Sequence, residues 1–517
     1  VSTSVENQIA SLSPAQRAVL EYCLKKKRKP VKGPELKRRA TEGNCFPVSF
    51  AQQRLWLIQQ LDPNNFAYNM PLAIRLKGAL NIAALEDTIT ELVRRHEVLR
   101  TTFRLQDGEP VQLISPPEPI ALPIVDLGDL AEAAGQKEAR RLAAEEARLP
   151  FDLANDLMLR SRLLRTGPRE HVLLFSLHHI ASDGWSMGIV TREVARLYEA
   201  YSSGRRSPLP ELPIQYADYA LWQRECLQGP VFEIQLNYWR NQLADAPPVL
   251  ELAADKVRPS TRTFEGAVCS RAIQKPLRDA LVELGQTEGT TLFMIMLAAF
   301  NVLLYRHTSQ EDILIGSPIA NRNRAELEGL IGYLANTVVL RVSLEGDPDF
   351  RELLARARET ALGAYAHQDL PFEKLVEDLQ PERDTSHTPL FQVGFTFQNA
   401  PQERLELPGL ALSSIGDGGR TSKFDLMLIV ADSSGAISLT LEYNTELFES
   451  STIARMADHF GNLLQDIAIR PDCPVSMLRL MSEAEENQIL QEWNRTAVEY
   501  LSPPCLHQII ERQVLAS

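Results

Sequence analysis

Two adjacent histidines open the run His178-His179-Ile180-Ala181-Ser182-Asp183-Gly184-Trp185-Ser186, with an acid and a glycine close behind. Imidazole is the side chain whose ordinary pKa lies nearest neutrality, so one of the pair is a candidate base. Asp183 can orient an imidazole or pair with an arginine elsewhere. Gly184 permits a tight turn and close approach by a substrate, and a helix beginning there offers backbone N–H groups to a developing negative charge. Gly184-Trp185-Ser186-Met187-Gly188 also fits the G-x-S-x-G pattern of a hydrolase nucleophile elbow. An elbow serine turns directly off its strand, however, and here His178 to Asp183 intervene. A triad would also need His307, His367, His387, His459 or His507. Zinc is disfavoured, because the i, i+4 pair His179 and Asp183 precedes the helix and no H-E-x-x-H or cysteine cluster accompanies it.

The elements that must carry this run are legible around it. The apolar stretch Val172 to Leu177 predicts a strand, and Ile189, Val190, Val194, Leu197 and Tyr201 recur with helical spacing. Strand, polar turn and helix are a common mounting for an active site. Upstream, Leu85, Ile89, Leu92 and Val93 form the buried stripe of an amphipathic helix. Pro208, Pro210 and Pro213 mark a loop after the long helix, and a helical stretch surrounds Trp239. Leu292 to Leu304 reads as a buried helix, too short to span a bilayer and interrupted by Asn301. Asp312 to Ile315 predicts a short strand ahead of a loop at Gly316-Ser317-Pro318, and Asn336 to Val342 another strand. Phe424 to Val430 and Ile437 to Tyr443 predict a hairpin around Ser433-Ser434-Gly435. At the start of the chain, Pro14 to Lys29 reads as a helix followed by a connection reaching Cys45.

Composition bounds the partners. A chain of 517 residues with 44% hydrophobic content exceeds one ordinary core and suggests two large lobes with tails. The net charge of -13 argues against general nucleic-acid binding. The local basic tract, Lys25 to Lys29 and Lys37 to Arg39, reads as a solvated linker or helix end. No secretory signal is read at the start, and no membrane segment. The cysteines at 23, 45, 226, 269, 473 and 505 lack C-x-x-C spacing and the density of a secreted disulfide scaffold, which suits a reducing cytoplasm.

H-H-x-x-x-D-G resembles the signature of condensation domains from nonribosomal peptide synthetases, and further stretches resemble that family's motifs in order. They are Ser49-Phe50-Ala51-Gln52-Gln53-Arg54-Leu55-Trp56, Arg95 to Phe103, Tyr216 to Ala220, Ile331 to Thr337, His367 to Glu373, and Arg383-Asp384 with Pro389-Leu390-Phe391. Trp493 to Tyr500 resembles the segment leading into an adenylation domain, so the chain reads as a piece of a larger synthetase. The resemblance implies an α/β fold of two chloramphenicol-acetyltransferase-like lobes, a V-shaped pseudo-dimer with a central tunnel. It divides the chain into an upstream flank (1–45), an N-terminal lobe (46–225), a C-terminal lobe (226–475) and a linker towards an adenylation domain (476–517).

The implied reaction is amide formation between an acyl or peptidyl thioester donor and an aminoacyl acceptor. Each substrate rides on the phosphopantetheine arm of a carrier domain, upstream donor and downstream acceptor, and the domain itself binds no cofactor. By the family pattern His179 is the central residue, as base or as the group that positions the amine. His178, Arg100 and Gly184 support it, and Asp183 pairs with Arg95. Trp185 and Asn336 are candidate tunnel-lining residues; Tyr333 and Phe391 read as packing. The run Ser182 to Gly188 most resembles domains joining two L-configured residues, although Leu334-Ala335 replaces the more usual Phe-Val. A catalytically silent relative that recruits another protein is the alternative from a different class, and a serine hydrolase using Ser186 a minor one.

Overall fold

The computed structural model describes residues 34–40, 43–261, 263–381, 386–398, 405–415, 421–433, 435–497 and 505–516. The expected Pro14–Lys29 helix, the Lys25–Lys29 tract and Arg383-Asp384 lie outside them. In chain order the first half runs β1 (Cys45–Pro47), α1 (Phe50–Leu61), β2 (Asn69–Gly78), α2 (Ile82–Arg95), β3 (Thr101–Gln106), β4 (Glu109–Ile114), β5 (Ile124–Asp126), α3 (Glu132–Arg148), β6 (Leu159–Gly167), β7 (Glu170–His178), α4 (Gly184–Ser202) and α5 (Tyr216–Cys226). The second half runs α6 (Gly229–Gln242), β8 (Gly266–Ile273), α7 (Lys275–Thr287), α8 (Leu292–Thr308), β9 (Asp312–Ile319), α9 (Ala325–Glu328), β10 (Asn336–Ser343), α10 (Phe350–Ala366), α11 (Phe372–Leu379), β11 (Val393–Gln398), β12 (Leu410–Ser414), β13 (Leu426–Ser433), β14 (Ala436–Asn444) and α12 (Ser450–Ile469). Two short helices, α13 (Glu483–Asn487) and α14 (Leu506–Ala516), follow.

Each half is an α/β lobe with its own sheet. The first sheet has the strand order β12-β2-β7-β6-β5 and the second β10-β9-β11-β13-β14-β8, while β1-β4-β3 forms a small third sheet. The caps explain where the helices begin. Ser49 and Gln52 form a capping box on α1, and Asn81, Asp183, Thr291 and Asp349 each accept a backbone N–H at the first turns of α2, α4, α8 and α10. The α2 stripe of Leu85, Ile89, Leu92 and Val93 is buried as its spacing predicts. α8 is apolar all round because it runs through the middle of the second core, Met294 to Leu304 being wholly buried. Among the described residues no single helix is long and apolar enough to cross a membrane.

The lobes are not separate in their packing. β12, from the second half, completes the first sheet by pairing antiparallel with β2, Leu412 opposite Leu76. Leu327, Leu330, Ile331, Leu334 and Leu407 likewise join the first lobe's core. This exchange holds the lobes face to face across a cavity of roughly 2760 Å³ lined from both sides.

The structure also corrects the expected loop at Gly316-Ser317-Pro318. β9 continues through these residues to Ile319, paired along its length with β10. β11 pairs with β9 only at Ile315 and Gly316, so Pro318 stands beyond the reach of that neighbour, where a missing N–H is tolerated. Gly316 is required by close approach: a Cβ there would collide with the ring of Phe391. Lys37 and Arg38 are exposed as expected, but Arg39 is not solvated. It bonds Glu97 at 2.7 Å and Asp218 at 3.0 Å, tying the upstream flank to the first lobe. The Phe424–Tyr443 hairpin is present as β13 and β14.

These contacts predict opposite outcomes for two glycines. Gly316→Ala should destabilise the protein by about 1–3 kcal/mol through overpacking. Gly461→Ala, in α12 with open space at the Cβ position, should stabilise it by about 0.5–1 kcal/mol. Urea unfolding midpoints at unchanged m-value check both.

Candidate functional site

The double-histidine run sits on the expected strand, turn and helix. β7 ends at His178, a 3₁₀ turn spans His179 to Ala181, and Asp183 caps α4. The two histidines do different work. His178 is buried, stacks obliquely on Phe151 at 5.5 Å, and accepts the Ile180 N–H through Nδ1 at 3.1 Å. Burial first, then the charges of Lys423 and Arg160, push its pKa down to about 3. It is a neutral brace for the turn.

His179 faces the cavity. Its backbone N–H is held by the Tyr68 carbonyl at 2.9 Å, and its Nδ1 lies 3.2 Å from the Ser182 carbonyl. A carbonyl only accepts, so Nδ1 carries the hydrogen and Nε2 keeps the lone pair. Tyr68 and Tyr333 flank the ring edge-on at 6.3 and 5.7 Å between centroids. Burial, followed by the nearby Lys423 and His178, lowers this imidazole's pKa well below its ordinary value, against the opposing Ser182 hydrogen bond. His179 is therefore uncharged at neutral pH, an acceptor whose ring is held in orientation by the Ser182 carbonyl.

Asp183 does not pair with Arg95. Its partner is Arg322, a residue of the second half that sequence reasoning did not single out, with Nη2 at 3.0 and 3.2 Å from the two carboxylate oxygens. The same carboxylate accepts from Ser186 N–H (2.8 Å), Ser186 Oγ (2.7 Å), Leu334 N–H (3.1 Å) and Ala335 N–H (3.2 Å). Arg322 in turn donates to the Leu327 and Leu330 carbonyls, each at 2.6 Å. Asp183 and Arg322 are 2% and 8% exposed, so the pair joins the lobes inside the protein rather than at its surface. Distance along the chain hid this partner; a buried N-cap acid still needing a cation was the available signal. Arg95 is claimed instead by Glu193, through bonds of 3.1 Å, and by the Pro210 carbonyl at 2.8 Å. Burial alone would raise the Glu193 carboxyl, but hydrogen bonds from His96 and Arg95 outweigh it and bring the pKa to about 2.

The other expected residues divide between cavity and scaffold. Gly184 lines the cavity, and a Cβ there would meet no atom, so there is open room beside His179. Trp185 also lines it and donates to the Glu328 carbonyl at 3.1 Å. Asn336 lines the cavity and braces it, donating to the Gln368 and Leu370 carbonyls and accepting from Phe372 N–H. Arg100 lies away from the site and donates to the Ser115 carbonyl. Tyr333, expected only to pack, is a wall of the cavity. Arg54 meets Glu373 across the lobes at 3.4 Å, bringing the Ser49–Trp56 and His367–Glu373 motifs together.

Ser186 is no nucleophile. Its hydroxyl is buried among Asp183, Gly332 and Arg322, with no imidazole in contact. Among the described residues no group of three His, Cys, Asp or Glu side chains is placed to hold a metal.

Comparison with known proteins agrees with this geometry. A family model described as Condensation domain matches residues 43–490. The chain is 48% identical over 471 residues to a linear gramicidin synthase from Brevibacillus parabrevis, covering 91% of this chain and 9% of that protein. It is 44% identical over 475 residues to chondramide synthase cmdD from Chondromyces crocatus, covering 92% and 12%. The crystal structure of the X-domain from teicoplanin biosynthesis superposes with a TM-score of 0.80 at 28% identity, over 87% of this chain and all of that one. A four-domain nonribosomal peptide synthetase shares the fold, with a TM-score of 0.81 at 23% identity over 93% of this chain and 37% of that one. The chain belongs to the condensation-domain family. Condensation domains of nonribosomal peptide synthetases are acyltransferase-type and form peptide bonds. The chain spans only a small part of the curated relatives it matches.

Two measurements test the ion pairs. In double-mutant cycles, Asp183→Asn should couple strongly to Arg322→Met and negligibly to Arg95→Met, with Arg322→Met alone costing about 3–5 kcal/mol by stranding a buried carboxylate. Because the folded pKa of Glu193 lies below the ordinary 4.5, its stabilisation is present above that value and is lost as pH falls towards about 2. The stability gap between wild type and Glu193→Gln should therefore narrow over that acid range in denaturant titrations.

Proposed function

We propose that this chain joins an acyl or peptidyl thioester to an aminoacyl thioester, each delivered on the phosphopantetheine arm of a carrier domain. The observation that carries the reading is the His179 Nε2 lone pair, held by a locked Nδ1–H at the wall of a cavity that both lobes line. The amine nitrogen attacks the thioester carbon, a C–N bond forms, the C–S bond breaks, and the amine's proton ends on the departing thiol. A thioester is already activated towards amines, so orientation supplies much of the acceleration. An imidazole as weakly basic as His179 is suited to accepting a hydrogen bond from the neutral amine, aiming its lone pair and passing the proton on. Gly184, at the first turn of α4, leaves room for the thioester and offers its N–H near the oxyanion.

The division into lobes 46–225 and 226–475, between an upstream flank and a linker towards an adenylation domain, belongs to the same proposal, with the 325–335 and 405–415 segments packed back onto the first lobe. So do the upstream donor carrier, the downstream acceptor carrier and a cytoplasmic setting for the cysteines. An L-configured donor and acceptor are proposed on the Ser182–Gly188 run. The Leu334-Ala335 departure sits where both residues serve Asp183 through backbone N–H groups, which any residue except proline supplies.

The test loads donor and acceptor carriers and follows the dipeptidyl product by mass spectrometry. Wild type should form product, and His179→Ala should lose about 10²–10³-fold in rate. Wild type silent with every competent pair would sink the reading. It would turn attention to protein recruitment, for which the complex of the X-domain with OxyB gives a structural parallel. A fully active His179→Ala would remove only the role assigned to that residue.

A further inference from the structure

Lys423 is an ionisable group of the cavity that the proposed chemistry does not use. It lies just ahead of β13 and lines the same space as His179. Its ammonium sits 5.1 Å from the centre of the Tyr68 ring, and that ring meets His179 edge-on at 6.3 Å. The Tyr68 ring thus neighbours both the cation and the imidazole. Met70, Leu72, Phe424 and Met427 also line this cavity, and burial is the largest influence on the Lys423 ammonium. A cation in such a place loses solvation, and ionisable groups with perturbed environments in clefts gather at functional sites.

Among the described residues, charges on other elements act on Lys423 in both directions. Glu442 of β14 favours the ammonium, while Arg54 of α1, itself tied to Glu373 of α11, opposes it. Around His179 stand Tyr68, Tyr333, His178 and Lys423, and behind its turn the Asp183 and Arg322 charges satisfy each other. Burial first brings the Lys423 pKa down to about 8, so the side chain is still mostly a cation at neutral pH. The same ammonium is the largest charge acting on His179.

We propose that Lys423 is a positioning residue that acts through its charge, holding His179 and the incoming amine in their uncharged forms. The proposal rests on the condensation reading. Only an unprotonated amine has a lone pair to attack with, and only a neutral His179 can accept the amine's hydrogen bond. A fixed cation lining the same space disfavours the charged form of both.

The rate of dipeptidyl product formation as a function of pH tests this, with carrier-bound substrates at saturation and in single turnover. Removing the cation lets His179 and the amine protonate more readily. Lys423→Met and Lys423→Gln should therefore move the acid limb to higher pH, by about 0.5–1 unit, with the rate recovering on the alkaline side. Lys423→Arg should keep the wild-type limb. An acid limb that stays in place in both neutral variants overturns the proposal, as does an arginine variant that behaves like the neutral ones. Neutral variants that fail to fold, shown by loss of a cooperative thermal transition, overturn it too, since Lys423 would then be a packing and ion-pair residue. A wild type that makes no product at any pH is a different result and strikes the condensation reading itself.

Discussion

The buried pairing of Asp183 with Arg322 is the constraint on which the remaining geometry hangs. One carboxylate starts α4, receives a guanidinium from the opposite lobe and collects the Leu334 and Ala335 N–H groups. Both partners are buried, so each hydrogen bond must be made within the protein. An isolated charge at that depth would be intolerable, and the bonds to Asp183 from Arg322, Ser186, Leu334 and Ala335 remove the isolation. The consequence is positional: the turn carrying His179 is fixed with respect to the second lobe as well as to its own strand.

Around that pair the two histidines separate into brace and acceptor because their surroundings differ by one step along the chain. His178 points into the core, where Phe151 and the Ile180 N–H occupy it. His179 emerges into the cavity with one nitrogen committed to Ser182 and the other available. Both are neutral for the same first reason, burial, yet only His179 is neutral where a substrate can meet it. In the proposed reaction, that combination favours aiming an amine over holding its proton. It also leaves a weakly basic imidazole open to tuning by a nearby cation.

The exchange of segments between lobes gives the cavity its durability. β12 is built into the first sheet, and Leu330, Ile331 and Leu334 fill the first core although they come from the second half of the chain. Arg54 with Glu373 and Trp185 with the Glu328 carbonyl add contacts at the cavity's margin. The cavity is thus walled by elements whose positions are set by packing on both sides.

Local pattern was enough for much of this. The period of α2, the apolar run of β7, the all-apolar α8 and the β13–β14 hairpin were legible because burial imposes a spacing on neighbouring residues. The order of the motifs identified the family, and His179 stood out as the residue where chemistry should concentrate. What the sequence could not supply was pairing at a distance. Asp183 takes Arg322 rather than Arg95, since Arg95 points to Glu193, and no local rule ranks arginines in the folded chain. Gly316-Ser317-Pro318 looks like a loop by composition, yet the ladder to β10 and the ring of Phe391 make it strand. Tyr333 and Lys423 reach the cavity only because the second half of the chain folds back over the first. Spacing determined which residues face a core or a site; tertiary packing alone decided which charges meet, because ion pairing depends on separation in space.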